Sequence, residues 1–178
     1  STKLKMLDIQ QALEHLNNEG ILVYPTDTVY GLGCLPSNTQ ALNALLNFKN
    51  RKRQFIVLTD DWNKYLDWVN EPIDINKLEA YSKPTTWVLK ASNLVPDKLK
   101  NEDNEFAMRK VSHKDTLCLL SQLSEPLVST SANLPGQPTL SKPEDIISIL
   151  KFPILVGENG GSQPSQILRY SDGKIIRP

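Results

Sequence analysis

Only two of the 178 residues are cysteine, Cys34 and Cys118, and they form no CxxC pair. That argues against a zinc site or a disulfide framework. Small buried hydrophobes in a reducing compartment fit the count better. Histidine is equally scarce, with His15 and His113 alone. A lone histidine reads as structural or surface-exposed rather than catalytic. No net charge remains, because 20 Lys and Arg balance 20 Asp and Glu. A chain that coats nucleic acid by bulk charge is therefore not expected, although a local basic groove is compatible with the balance. No apolar run reaches the length of a membrane span. Ser1-Thr2-Lys3 opens no apolar signal segment. The expected location is the cytoplasm, with no membrane partner. Neither G-x-G-x-x-G nor G-x-x-x-x-G-K-[ST] occurs, so the standard nucleotide fingerprints are missing. There is no Gly-x-Ser-x-Gly elbow, no paired-carboxylate motif and no metal-ligand cluster, so neither a protein nucleophile nor a resident metal is expected.

What is present is a globular composition, 39% hydrophobic and 22% charged, at a length suited to one core. Two stretches stand out. Ile21-Leu22-Val23-Tyr24 reads as a short buried strand, and Pro25 weakens further pairing. Thr26-Asp27-Thr28-Val29-Tyr30-Gly31-Leu32-Gly33 then offers hydroxyls, a carboxylate, a phenol and two glycines. Such a stretch suits a loop that leaves a sheet and meets a ligand, with Gly31 and Gly33 open to positive φ and close approach. A plain strand-turn-strand with Asp27-Thr28 at its tip is the simpler alternative. The second stretch runs from a short strand, Leu127-Val128, into Ser129-Thr130-Ser131-Ala132-Asn133 and a Pro135-Gly136 break. Two strands ending in hydroxylated loops suggest a shared crevice at one sheet edge.

The rest of the chain alternates helices and strands. Asp8-Ile9-Gln10-Gln11 opens a helix with a capping-box pattern, and Ile9, Ala12, Leu13 and Leu16 make its apolar face. Pro36-Ser37-Asn38-Thr39 punctuates the chain and can cap a second helix that runs out into Lys49-Asn50-Arg51-Lys52-Arg53. These cations suit a solvated helix end, or a position above a ligand before the strand Phe55-Leu58. Trp62, Tyr65, Leu66 and Val69 repeat helical spacing behind Asp60 or Asp61, and Asp74 starts a further helix. Asn93 to Glu105 reads as a surface loop between strands near Thr85-Leu89 and Phe106-Val111. Arg109 lies inside the latter strand, where a charge is costly unless it is paired, or else alternation puts it on a solvated face. A helix near Thr116-Leu123 follows. Ser141-Lys142-Pro143-Glu144 fits S-x-x-E capping of another. A strand at Ile154-Val156, a glycine-rich loop from Gly157 to Pro164 and a hairpin turned at Asp172-Gly173 complete the chain. The pattern predicts a single α/β domain over residues 1–178, with a twisted mixed sheet flanked by helices. A flavodoxin-like fold has a similar rhythm.

Lys49, Arg51, Arg53, Arg109, Thr26, Thr28, Ser129, Ser131 and Asn133 are the recurring polar groups of these stretches. Cations and hydroxyls of this kind suit a phosphate chain. Phosphoryl and nucleotidyl transfer need positioning and charge neutralisation more than a nucleophile.

"YPTDTVYGLG", "PLVSTSANLPG" and the intervening Lys49-Asn50-Arg51, read as Lys-x-Arg, resemble the YrdC family of threonylcarbamoyl-AMP synthases. The resemblance runs from about Met6 to the C-terminus. It implies a YrdC-like fold and a nucleotidyltransferase that joins L-threonine, bicarbonate and ATP, with Mg²⁺, into threonylcarbamoyl-adenylate and pyrophosphate. That product serves N6-threonylcarbamoyladenosine (t6A) modification of tRNAs that read ANN codons. Carried over by position, Lys49, Arg51, Arg53, Ser129, Ser131, Asn133 and Arg177 would bind ATP. Thr26, Thr28, Arg109, Ala132 and Ser165 would bind threonine, Arg109 through the carboxylate. tRNA and other t6A-pathway proteins are the further partners implied. The chain departs from the family in two places. The linker after Lys-x-Arg is short, so Arg53 stands in for a lysine. The family's Pro-Gly-Pro-x-Thr loop reads Ser82-Lys83-Pro84-Thr85-Thr86. An extra C-terminal domain, found in some relatives, is not expected. An RNA-binding module using the same basic face is the alternative from another class. A carbamoyl-handling relative acting on another acceptor, as in hydrogenase maturation, is a third.

Overall fold

The computed structural model describes residues 6–18, 20–51 and 55–178. Among the described residues, ten strands form one sheet: β1 (Met6–Leu7), β2 (Leu22–Tyr24), β3 (Gly31–Cys34), β4 (Ile56–Thr59), β5 (Thr85–Lys90), β6 (Glu105–Lys110), β7 (Leu127–Ser131), β8 (Ile154–Leu155), β9 (Gln166–Arg169) and β10 (Ile175–Arg177). Their spatial order is β1-β8-β2-β3-β7-β4-β6-β5-β9-β10. β1 and β2 lie parallel to β8, β4 to β6 and β5 to β9, while the other neighbours are antiparallel. The sheet is therefore mixed, as the sequence pattern predicts, and not the all-parallel sheet of a flavodoxin-like fold.

Five α-helices accompany the described strands: α1 (Ile9–Asn17), α2 (Thr39–Phe48), α3 (Ile75–Leu78), α4 (Lys114–Ser121) and α5 (Pro143–Leu150). Asp8 closes the expected capping box on α1, its carboxylate accepting from Gln11 N. Asn38 Oδ1 accepts from Ala41 N at the start of α2. Strand alternation sends neighbouring β2 residues to opposite faces. Leu22 and Tyr24 join Leu13 and Leu16 of α1 and Leu119 and Leu120 of α4. Val23 joins Leu42 and Leu45 of α2 and Ile146 of α5 on the other side. Both faces are thus sealed near β2. Farther along, Val88, Ala107 and Ile167 line an open recess on the face that carries Leu22.

Several expectations need correction. Gly31 and Gly33 lie within β3, and neither has a positive φ. Their use is close approach alone. The Tyr24 ring covers Gly31, and Val128 O of β7 lies against Gly33. Ser129, Thr130 and Ser131 belong to β7 rather than to a loop, because each pairs with β3. Trp62–Trp68 is a 3-10 helix capped by Asp61, with Leu66 exposed. The segment from Asn93 to Glu105 is not wholly superficial: a 3-10 turn at Asp97–Leu99 lets Val95 and Leu99 enter the core. Ser141 does not cap α5. Lys142 holds the cap position without a side-chain bond. β1 has too little sequence to be recognised.

A Cβ at Gly33 would stand 1.7 Å from Val128 O and 2.8 Å from Tyr24 Oη. Neither neighbour is the end of a flexible chain. Overpacking of this kind costs about 3 kcal/mol. Gly33→Ala is therefore expected to lower the Tm by roughly 6–12 °C. An unchanged Tm in a thermal melt would contradict this packing.

Candidate functional site

Pairing register builds one wall of the site. Arg109 of β6 pairs with Thr86 of β5, Thr86 with Ile167 of β9, and Ile167 with Arg177 of β10. This row crosses four strands on the face left open by the helices. Ser129 and Ser131 of β7, opposite Gly33 and Gly31, carry the same face to the other side. Between them lies a cavity of about 300 Å³, large enough for a small ligand. Its lining brings Thr26, Thr28, Arg51, Arg109, Ser129, Ser131, Ser165 and Arg177 together. All eight were singled out from the sequence.

Arg109 is only 3% exposed. Its Nη1 donates to Asp27 Oδ1 at 2.7 Å, and its Nη2 donates to Thr28 Oγ1 at 3.1 Å. The buried charge therefore has the partner it requires. Proton direction follows from the neighbouring bonds. Thr26 Oγ1 donates to Val29 O at 2.7 Å, so the 3.0 Å contact between Thr26 and Thr28 must use the Thr28 proton. The chain runs Arg109 to Thr28 to Thr26 to Val29. Thr26 Oγ1 also accepts from Thr28 N at 2.9 Å, so its proton and both lone pairs are taken, whereas Thr28 Oγ1 has spent its proton and one lone pair and keeps the other for a ligand. That lone pair of Thr28 suits an amine donor beside a carboxylate held by Arg109.

At the opposite end, Arg177 donates through Nε and Nη2 to Ser165 O at 2.9 and 2.7 Å. Ser165 Oγ lies 2.7 Å from Thr86 Oγ1. Burial, followed by the nearby Arg109 charge, pushes the Arg177 pKa down. Two guanidinium groups facing one cavity raise each other's energy and favour an anion between them.

Lys49 and Arg51 diverge because α2 ends in a Schellman turn. Asn50 takes a left-handed φ of 53°, Arg51 N donates to Leu46 O at 2.9 Å, and Asn50 N donates to Asn47 O at 3.1 Å. Arg51 reaches the cavity. Lys49 turns inward, its Nζ donating to Ser131 O at 2.9 Å, Asn133 O at 3.1 Å and Asn133 Oδ1 at 2.7 Å. All three ammonium protons are used. Burial, and then the Arg51 charge, lower its pKa to about 8. Asn133 also accepts from Ser131 Oγ at 2.6 Å and donates to Gln137 O at 2.8 Å. Ala132 is fully buried, and its N–H donates to Tyr30 O. Lys49, Ala132 and Asn133 thus lie behind the cavity wall, outside its lining. Arg53 lies outside the described residues. Among the described residues, no group of three or more His, Cys, Asp and Glu is placed to hold a metal ion.

A family model for the Sua5/YciO/YrdC proteins, described as telomere recombination, matches residues 14–178. The chain belongs to this family. The threonylcarbamoyl-AMP synthase of Xylella fastidiosa (strain 9a5c) is 33% identical over 183 residues, covering 96% of this chain and 97% of its own. The crystal structure of YciO from E. coli superimposes with a TM-score of 0.82 at 27% identity, over 95% of this chain and 87% of YciO. P. abyssi Sua5 complexed with L-threonine has the same fold, with a TM-score of 0.82 at 20% identity, over 98% of this chain and 56% of Sua5.

Sua5/YciO/YrdC membership also frames what sequence reasoning missed. Asp27 and Thr86 complete the site without having been chosen. Asp27 sits inside the first motif, and the unpaired Arg109 was the one sign that a carboxylate was needed. Thr86 gives no such sign before the register is known.

The Lys49 shift has a testable consequence. The unfolded lysine titrates near 10.5 and the folded one near 8. Between these values the unfolded chain binds more protons, so this group makes stability rise with pH. Below the folded value the burial cost is felt in full. Relative to Lys49→Met, the wild type is expected to gain stability as pH is raised from below 8 toward 10.5. Denaturant titrations of both proteins measure the difference, and a gap independent of pH would contradict the burial of this charge.

Proposed function

We propose that this chain is a threonylcarbamoyl-AMP synthase, an enzyme that makes threonylcarbamoyl-adenylate and pyrophosphate from L-threonine, bicarbonate and ATP. The observation that carries this reading is the convergence of Arg51, Arg109 and Arg177 with hydroxyl groups on one cavity. Relatives named threonylcarbamoyl-AMP synthase, matched over nearly the whole chain, support it. So does the L-threonine complex formed by P. abyssi Sua5.

The roles follow from placement. Arg109 takes the threonine carboxylate, Thr28 Oγ1 accepts from the amine, and Thr26 holds Thr28 in place through its own saturated hydroxyl. With bicarbonate the amine forms a carbamate and releases water. The carbamate oxygen then attacks the α-phosphorus of ATP, and the bond to pyrophosphate breaks. Arg51 and Arg177, with Ser129 and Ser131, neutralise phosphate charge in place of a protein nucleophile. Mg²⁺ arrives as the ATP complex and is part of that substrate. An apolar recess of about 230 Å³ shares Ile56 and Ile167 with the cavity and receives the base against Phe55 and Phe106. Lys49 contributes by holding the end of β7 at Ser131 against Asn133. The product serves t6A formation on tRNA in the cytoplasm, with tRNA-modifying proteins downstream. Among the described residues no helix is long and apolar enough to cross a membrane.

Pyrophosphate release with Mg·ATP and bicarbonate is expected to depend on L-threonine, with the adenylate visible by mass spectrometry. Salt-sensitive RNA binding without turnover would overturn the reading in favour of an RNA-binding module. Arg51 is solvent-exposed, so Arg51→Ala is expected to fold normally. Its kcat/KM for ATP is expected to fall by about 10²–10³, with L-threonine binding retained. Wild-type ATP use by this variant would remove the phosphate role.

A further inference from the structure

The glycine-rich segment from Gly157 to Gly161 passes beside the loop that carries Thr26 and Thr28. Asn159 spends its whole amide on this passage. Its Oδ1 accepts from Thr26 N at 2.9 Å, and its Nδ2 donates to Thr28 O and to Gly161 O, each at 2.6 Å. One side chain therefore spans both ends of the Thr26–Thr28 turn and ties it to its own loop. These residues are more than 130 positions apart in the chain: 133 for Thr26 and 131 for Thr28.

The backbone repeats the attachment. Gly160 N donates to Thr26 O at 2.7 Å. A Cβ at Gly161 would lie 2.6 Å from Asp27 O and 3.1 Å from Thr28 O, so only glycine allows this approach. The loop is itself held on either side. His113 Nε2 donates to Glu158 O, and Ser165 lies between Thr86 and Arg177. Asn159 does not line the cavity. Its bonds end on backbone groups of the residues whose hydroxyls do.

We propose that Asn159 is a positioning residue for amino-acid recognition, fixing the Thr26–Thr28 turn so that the Thr28 hydroxyl and the Asp27–Arg109 pair face the substrate. This rests on the synthase reading above. The expected consequence is selective. The nucleotide end, built from Arg51, Ser129, Ser131 and Arg177, does not hang on this turn. A turn displaced by even about 1 Å can cost up to 10²-fold in the step that it serves.

The test compares wild type, Asn159→Ala and Gly161→Ala in threonine-dependent pyrophosphate release. Asn159→Ala removes the bonds, whereas Gly161→Ala keeps the amide and pushes the turn away. In both, KM for L-threonine is expected to rise roughly tenfold to a hundredfold, with KM for ATP within about twofold of wild type. Asn159→Asp keeps the acceptor but loses both donors and is expected to behave like Asn159→Ala. An unchanged threonine KM in Asn159→Ala would overturn the proposal. So would parallel increases in both KM values, which indicate general loss of structure. If wild type itself shows no threonine-dependent turnover while folded, the synthase reading fails first.

Discussion

A guanidinium buried in the middle of a sheet constrains everything around it. Arg109 stands on β6 with Leu58 on one side and Thr86 on the other. Almost all of its surface is taken from water, so the chain brings a carboxylate to it. Asp27 comes from 82 residues earlier. To reach it, the stretch after Pro25 leaves β2 and crosses toward β6 before returning as β3. A buried ion pair of this kind adds little net stability over a well-packed apolar pair, but losing one partner is severe. Its value here is geometric. It fixes one conformation of the turn, and with it the direction of the hydrogen bonds through Thr28 and Thr26.

The remainder of the site is built by the same economy of contacts. Gly31 and Gly33 let Tyr24 and β7 close on β3, which brings Ser129 and Ser131 level with the turn. The Schellman ending of α2 separates two cations of one short motif, sending Arg51 to the cavity and Lys49 behind it. Lys49 then supports Ser131 and Asn133 by using every proton on its ammonium. A charged group that first reads as a ligand contact thus sits in the wall. The structure divides the family motifs into groups that face the cavity and groups that hold those groups.

Much of this was legible in the sequence, for identifiable reasons. Asp8 was readable as a cap, and the stretch from Pro36 to Thr39 as the capping segment of α2, because capping is a local bond between near neighbours. Arg109 was readable either as a charge needing a partner or as a residue on a solvated face, and its burial decides for the partner. What failed was assignment that depends on pairing. Ser129 to Ser131 looks like a loop by composition, yet β3 on one side and Ile56 of β4 beside Ser129 on the other make it strand. Trp62 to Trp68 has helical spacing, and Tyr65 inside it departs from helical φ and ψ. The two-residue strand β1 is a strand only through its pairing with β8. Asn159 carries no local sign at all, because its partners are fixed by tertiary folding alone.

The central claim is that one cavity holds the amino acid and the nucleotide phosphates together. A crystal structure with L-threonine and a non-hydrolysable ATP analogue tests it most directly. The threonine carboxylate is expected at Arg109, its amine beside Thr26 and Thr28, and the phosphates between Arg51 and Arg177. Either ligand bound elsewhere on the sheet, with Arg109 still facing an empty cavity, would contradict the claim.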